Sequence, residues 1–131
     1  MKLGRILGVS AGAAALALTF STQAMAADYS VQTDDGSPGG KISITLRGDV
    51  VTLSDQEADG WGVKGWIINS KGKTVYTLQA GGNGAKAIGR ASQGGARNLA
   101  EKGAKYKLRV CLHKENRDAY CDDTSYFKND H

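Results

Sequence analysis

The sequence predicts an all-β protein: a single two-sheet sandwich with one hairpin disulfide. Three observations carry that expectation. Past residue 41 the apolar residues recur at every second position, in runs separated by glycine-bearing turns. No segment beyond residue 26 has the apolar spacing of an amphipathic helix. The two cysteines fall in consecutive strand-like runs, where an antiparallel hairpin sets them opposite each other.

Residues 1–26 have the form of a secretory signal peptide. Lys2 and Arg5 precede an Ala-rich apolar run from Ile6 to Phe20, and Ala24-Met25-Ala26 supplies small residues for cleavage. The run is about 15 residues, short of the roughly 20 a spanning helix needs. The expected product is secreted and extracellular, with no membrane association after cleavage. Losing Lys2 and Arg5 lowers the formal net charge from +4 to +2, so nucleic acid is not an expected partner. The remaining chain suits one domain, small enough to benefit from a covalent staple.

Residues 27–40 are polar and hold the only proline, with apolar character at Tyr29 and Val31 alone. They are expected as a flexible N-terminal arm. An edge strand over YSVQT is the competing reading, and either form could lie on a partner by strand addition. The sandwich domain is expected over 41–131. Ile42, Ile44 and Leu46 alternate with polar residues, and a second run covers Val50 to Leu53. Arg47-Gly48-Asp49 between them has the composition of a turn rather than an adhesion signal.

An acidic loop, SDQEADG, leads to a strand bearing Trp61 and Trp66. Gly62 and Gly65 interrupt its alternation and suggest a bulge or a close backbone approach. At least one Trp is expected in the core, leaving the other for binding. Val75, Tyr76 and Leu78 mark the next strand. KGKT at 71–74 lacks the first glycine of a phosphate-binding loop, Ile67 standing in its place. The Gly- and Ala-rich segment 81–97 leaves room for a short strand within Ala85 to Ala91.

Tyr106, Leu108, Val110 and Leu112 share one face of a strand, with Lys105, Lys107, Arg109, Cys111 and His113 on the other. A three-residue loop at Glu115–Arg117 would set Cys111 opposite Cys121, Arg109 opposite Asp123, Leu112 opposite Tyr120 and Tyr106 opposite Tyr126. Directly opposed positions lie within disulfide reach, and two cysteines in an exported chain pair by default. The staple would lie on the polar outer face. No metal, cofactor or redox site is expected, because ligation by Cys111, His113 and Cys121 would require both thiols reduced.

No catalytic residues are expected either. His113 sits beside the staple, His131 is the last residue, and the acid pairs Asp34-Asp35 and Asp122-Asp123 are adjacent in sequence. Residues 28–59 hold seven acids and two bases, whereas 86–109 hold seven bases and only Glu101. That asymmetry points to soluble surface or to a face for an acidic partner.

NLAEKGAKYKLRVCL, residues 98–112, resembles the Leu, Gly, Tyr, Leu, Val spacing before and within the sixth strand of immunoglobulin-like and fibronectin-III-like sandwiches. Leu99, Gly103, Tyr106, Leu108 and Val110 match it, with Tyr106 in the tyrosine-corner position. The resemblance covers roughly residues 41–127 and implies that architecture, with a hairpin disulfide replacing the familiar inter-sheet one. The Ala-rich leader and small Gly-rich domain are similar to secreted proteins of actinobacteria such as Streptomyces. Some of those inhibit hydrolases, and others are adaptors in secreted multi-subunit toxin particles.

The expected function is a secreted, non-enzymatic protein-binding module, an adaptor or subunit of an extracellular complex such as a bacterial toxin particle. Its partner would be another secreted protein with an acidic surface, met by Tyr29, Val31, Trp61, Trp66, Lys105, Lys107 and Arg109. One alternative is a carbohydrate or cell-wall glycan binder stacking sugars on Trp61, Trp66 or Tyr76. Another is an inhibitor of a secreted hydrolase, presenting loop 81–97 or 114–118.

Overall fold

The computed structural model describes residues 26–131; the expected leader, apart from Ala26, lies outside them. Among the described residues nine strands follow in order: β1 (Tyr29–Gln32), β2 (Gly40–Thr45), β3 (Val50–Asp55), β4 (Gly62–Asn69), β5 (Thr74–Ala80), β6 (Lys86–Gly89), β7 (Lys105–Lys114), β8 (Arg117–Asp123) and β9 (Phe127–Lys128). Two single turns of 3-10 helix, Ala91–Gln93 and Gly95–Arg97, follow β6.

One sheet has the order β1-β2-β3-β6. The other has the order β9-β7-β4-β5, with β8 also paired to β7. Every pairing is antiparallel. β2, β3 and β6 take the places of strands A, B and E, and β4, β5, β7 and β8 those of C, C′, F and G. This is the connectivity of an immunoglobulin-like or fibronectin-III-like sandwich.

Period-two alternation builds the core. Ile42, Ile44, Val51, Leu53, Ile67 and Leu108 are wholly buried between the sheets, and burying each such side chain is worth roughly 1.5–3 kcal/mol. In β4 the inward positions are Val63, Gly65 and Ile67. A Cβ on Gly65 would lie 2.7 Å from Ile42 Cδ1 and 3.1 Å from Leu53 Cδ1, so the sequence signal there is close backbone approach. The bulge falls later and in the partner strand: Ile67 faces Tyr76 and Ile68 faces Thr74, so the extra residue is Val75 of β5. With Gly65 inward, Trp66 points outward. Trp61 packs only at the core's margin, so neither tryptophan is a core residue.

The disulfide joins Cys111 of β7 to Cys121 of β8, with alpha carbons 4.1 Å apart. Its register is reached differently from the sequence expectation. The hairpin turns on two residues, Glu115 and Asn116, both at positive φ, so that Lys114 faces Arg117 and Leu112 faces Ala119 rather than Tyr120. One extra residue in β8, at Tyr120 with φ 53°, then bulges the strand and restores Arg109 opposite Asp123. A further slip places Phe127, not Tyr126, opposite Tyr106.

Residues 29–32, expected within a flexible arm, form edge strand β1, paired Tyr29 to Ile44 through Gln32 to Lys41. Val31 packs against the core, and Tyr29 stacks on Phe127 with ring centroids 4.5 Å apart. The Asp34 N–H donates to the Tyr120 carbonyl at 2.9 Å. β1 therefore closes one side of the sandwich, and these long-range contacts are what order a short polar segment.

The end at which β2 turns into β3 is tied by buried polar groups. The Ala100 N–H donates to Tyr106 Oη at 2.9 Å, completing the tyrosine corner. Asp49, 1% exposed, accepts from the Leu99 N–H at 3.0 Å and from Asn129 Nδ2 at 3.1 Å. Asn129 also donates to the Ala100 carbonyl. The Asp of the Arg-Gly-Asp triplet is thus enclosed within a turn and is not displayed. Tyr76 packs nearby with Arg97 over its ring. Burial pushes its hydroxyl up to about 12 from 10.0; Arg97 opposes the shift and Asp49 adds to it.

Candidate functional site

The outer face of the five-stranded sheet gathers three of the residues singled out from the sequence. Because β5, β4, β7 and β8 are neighbours, one transverse row reads Thr77, Trp66, Arg109, Asp123. The next row reads Gln79, Lys64 and Cys111 with its disulfide; on the other side Ile68 faces Lys107. Residues directly opposed across antiparallel strands sit about 4.5–5.5 Å apart, so each row is a contiguous strip of surface.

Trp66 stands half-buried in the middle of this face. Lys64 Nζ lies 5.1 Å from its ring centroid, within cation–π range. On its other side Arg109 makes a two-pronged pair with Asp123, Nε to Oδ1 at 2.8 Å and Nη2 to Oδ2 at 3.0 Å. Lys107 Nζ reaches the same carboxylate at 3.1 Å and lies 5.2 Å from the Tyr126 ring centroid. The hydrogen bond from Arg109 holds the Asp123 carboxyl below its ordinary value of 3.8, with Lys107 adding to the effect; Asp123 in turn raises Arg109.

Asp123 thus engages two of the three cations expected to meet an acidic partner, and its single negative charge offsets one of their two positive charges. What remains is a face with an aromatic centre and a fixed guanidinium. Trp, Tyr and Arg are residue types enriched at protein interfaces.

The other residues singled out from the sequence lie elsewhere. Tyr29 and Val31 belong to β1, and Lys105 is exposed at the start of β7, beside β9. Trp61 lies at the far end of the sandwich, with Lys114 Nζ 5.7 Å and Arg117 Cζ 5.6 Å from its ring centroid. There it borders a cleft of about 410 Å3 together with Asp55, Glu57, Asn83 and the backbone of Gly60, Gly62, Gly81 and Gly82. Tyr76, considered as a sugar platform, is buried and presents no face to solvent.

Lys64, Tyr126 and Asp123 were not singled out as site residues. Counting alternation from Val63 places Lys64 beside Trp66, and the Arg109–Asp123 register was available from the hairpin; Tyr126 depends on the irregular stretch after β8. His113 Nδ1 pairs with Asp118 Oδ1 at 2.7 Å on the exposed hairpin. Among the described residues no three His, Cys, Asp or Glu side chains converge to hold a metal ion. Comparison with protein-family models, curated proteins and solved structures gives no match to this chain.

Proposed function

We propose that this protein is an exported, non-enzymatic binding module that docks a second secreted protein on the outer face of its five-stranded sheet, as an adaptor or subunit of an extracellular complex. The observation that carries the reading is the placement of Trp66 between Lys64 and an Arg109 locked by Asp123, with Tyr126 alongside. A half-exposed Trp on a sheet face buries a large area at little entropic cost. A pre-oriented Arg beside it adds directional hydrogen bonds. An acidic rim on the partner would meet Lys64, the cation of this face that Asp123 does not engage.

The test is retention from culture supernatant on the immobilised exported protein, compared with a Trp66→Ala/Arg109→Ala variant. The expected result is one or two exported proteins held at fixed stoichiometry by the parent and lost from the variant. An empty parent column, or equal retention by the variant, would overturn the reading.

A second reading, a glycan-binding module, draws support from the cleft beside Trp61, where an aromatic ring, Glu57 and Asn83 line one depression. Tryptophan fluorescence titrated with soluble wall glycans, with Trp61→Phe as control, tests it. A saturable change lost in the variant supports it, and an unresponsive parent rejects it.

A further inference from the structure

We infer that the end of the sandwich formed by connections 46–49, 70–73 and 90–104 is a separate surface for a linear phosphate-rich polyanion. The acids at this end have partners within the protein. Asp49 is held by the Leu99 N–H and Asn129, the Asp130 carboxylate accepts from the Gly103 N–H at 2.8 Å, and that of Asp28 accepts from the Leu46 N–H at 2.7 Å. Glu101 faces His131 Nε2 at 3.6 Å.

The bases do the reverse. Arg47, Lys71, Lys73, Arg90 and Lys102 are all exposed, and none forms an ion pair among the described residues. Lys105 and Lys128, opposed on β7 and β9, flank them in the same state. Those four carboxylates keep their charge, but the seven bases outnumber them, so the field of this end is net positive.

The arrangement also bears on what the ligand is. The cations lie on turns of both sheets, which pack about 10 Å apart, so a ligand meeting them together must be extended and multiply charged. None of the exposed large apolar side chains, Tyr29, Ile88, Tyr120 and Tyr126, belongs to these three connections. Within the three connections recognition rests on charge alone, which suits a flexible, charge-dense chain of phosphates better than a folded acidic protein. This surface is independent of the Trp66 face and stands or falls separately from it.

Long-chain inorganic polyphosphate is the probe, with poly-glutamate as the carboxylate counterpart. The exported protein is expected to bind polyphosphate at low salt and to lose affinity steeply, by about tenfold or more, as salt is raised toward physiological strength. Lys71→Glu/Lys102→Glu should weaken binding by about tenfold or more, while Lys41→Glu/Lys86→Glu, an equal charge change away from this end, should weaken it less than about threefold. Equal losses in the two pairs, equal affinity for poly-glutamate, or no binding of polyphosphate at low salt would each overturn the proposal.

Discussion

Asp49 and Asp55 flank β3 at opposite ends of the sandwich and are both 1% exposed, yet they do different work. Asp49 joins segments far apart in the chain, accepting from the Leu99 N–H and from Asn129. Asp55 ties two connections of its own end together, accepting from the Gly82 N–H, 27 residues away, at 2.9 Å and from the Glu57 N–H at 3.3 Å. The first end is knotted by long-range polar contacts, which leaves its basic side chains outside. The second is an open cleft held by short loops and the β7–β8 hairpin. A buried carboxylate that reaches the C-terminal segment closes a fold, and one that ties two adjacent loops shapes a cleft.

The largest break in that comparison is expected from Asp49→Ala. Removing a charged acceptor from two buried donors should cost about 3 kcal/mol, read as a lower urea midpoint at unchanged slope. Replacing both Cys111 and Cys121 by Ala should cost about 2 kcal/mol, below the loop-entropy figure of about 3 because the hairpin is already ordered by its neighbours. Asp55→Ala should cost about 1–2 kcal/mol. Its signature should be local, with faster hydrogen exchange in 81–85 and little change around Leu99.

Tyr106→Phe, which removes the acceptor for the Ala100 N–H, should cost about 1 kcal/mol. The smallest effect belongs to Asp123, at the surface. Its folded carboxyl lies below the unfolded value of 3.8, so its stabilisation is complete above that value and is lost as pH falls through the lower folded one. Asp123→Asn should flatten that part of the acid limb, by less than about 1 kcal/mol because the pair is solvent-screened.

The legible parts of this fold were those written in short-range pattern. Alternation in β2 and β7 gave the inward residues, and the Leu99–Tyr106 spacing gave the tyrosine corner. The cysteine register was legible although the route to it was not. A two-residue turn followed by a one-residue bulge ends in the same alignment as a three-residue loop, and Tyr120 carries no glycine to mark its positive φ.

β1 was obscured because its pairing with β2 is supported by Phe127 and Tyr120, about ninety residues away. On the candidate face, Trp66 and Arg109 were visible, but the sharing of Asp123 by Lys107 and Arg109 was not. Sequence charge counts cannot say which bases are neutralised within the molecule.

The most direct measurement of the central claim, that recognition resides in the outer sheet face and fold stability in the buried polar ties, is to score partner retention and urea stability together for Asp49→Ala and Trp66→Ala. The expected result is a crossed pattern: Asp49→Ala is markedly destabilised yet retains the partner under folding conditions, while Trp66→Ala keeps its stability and loses the partner. Retention that falls in step with stability in both variants, or survives unchanged in Trp66→Ala, would contradict it.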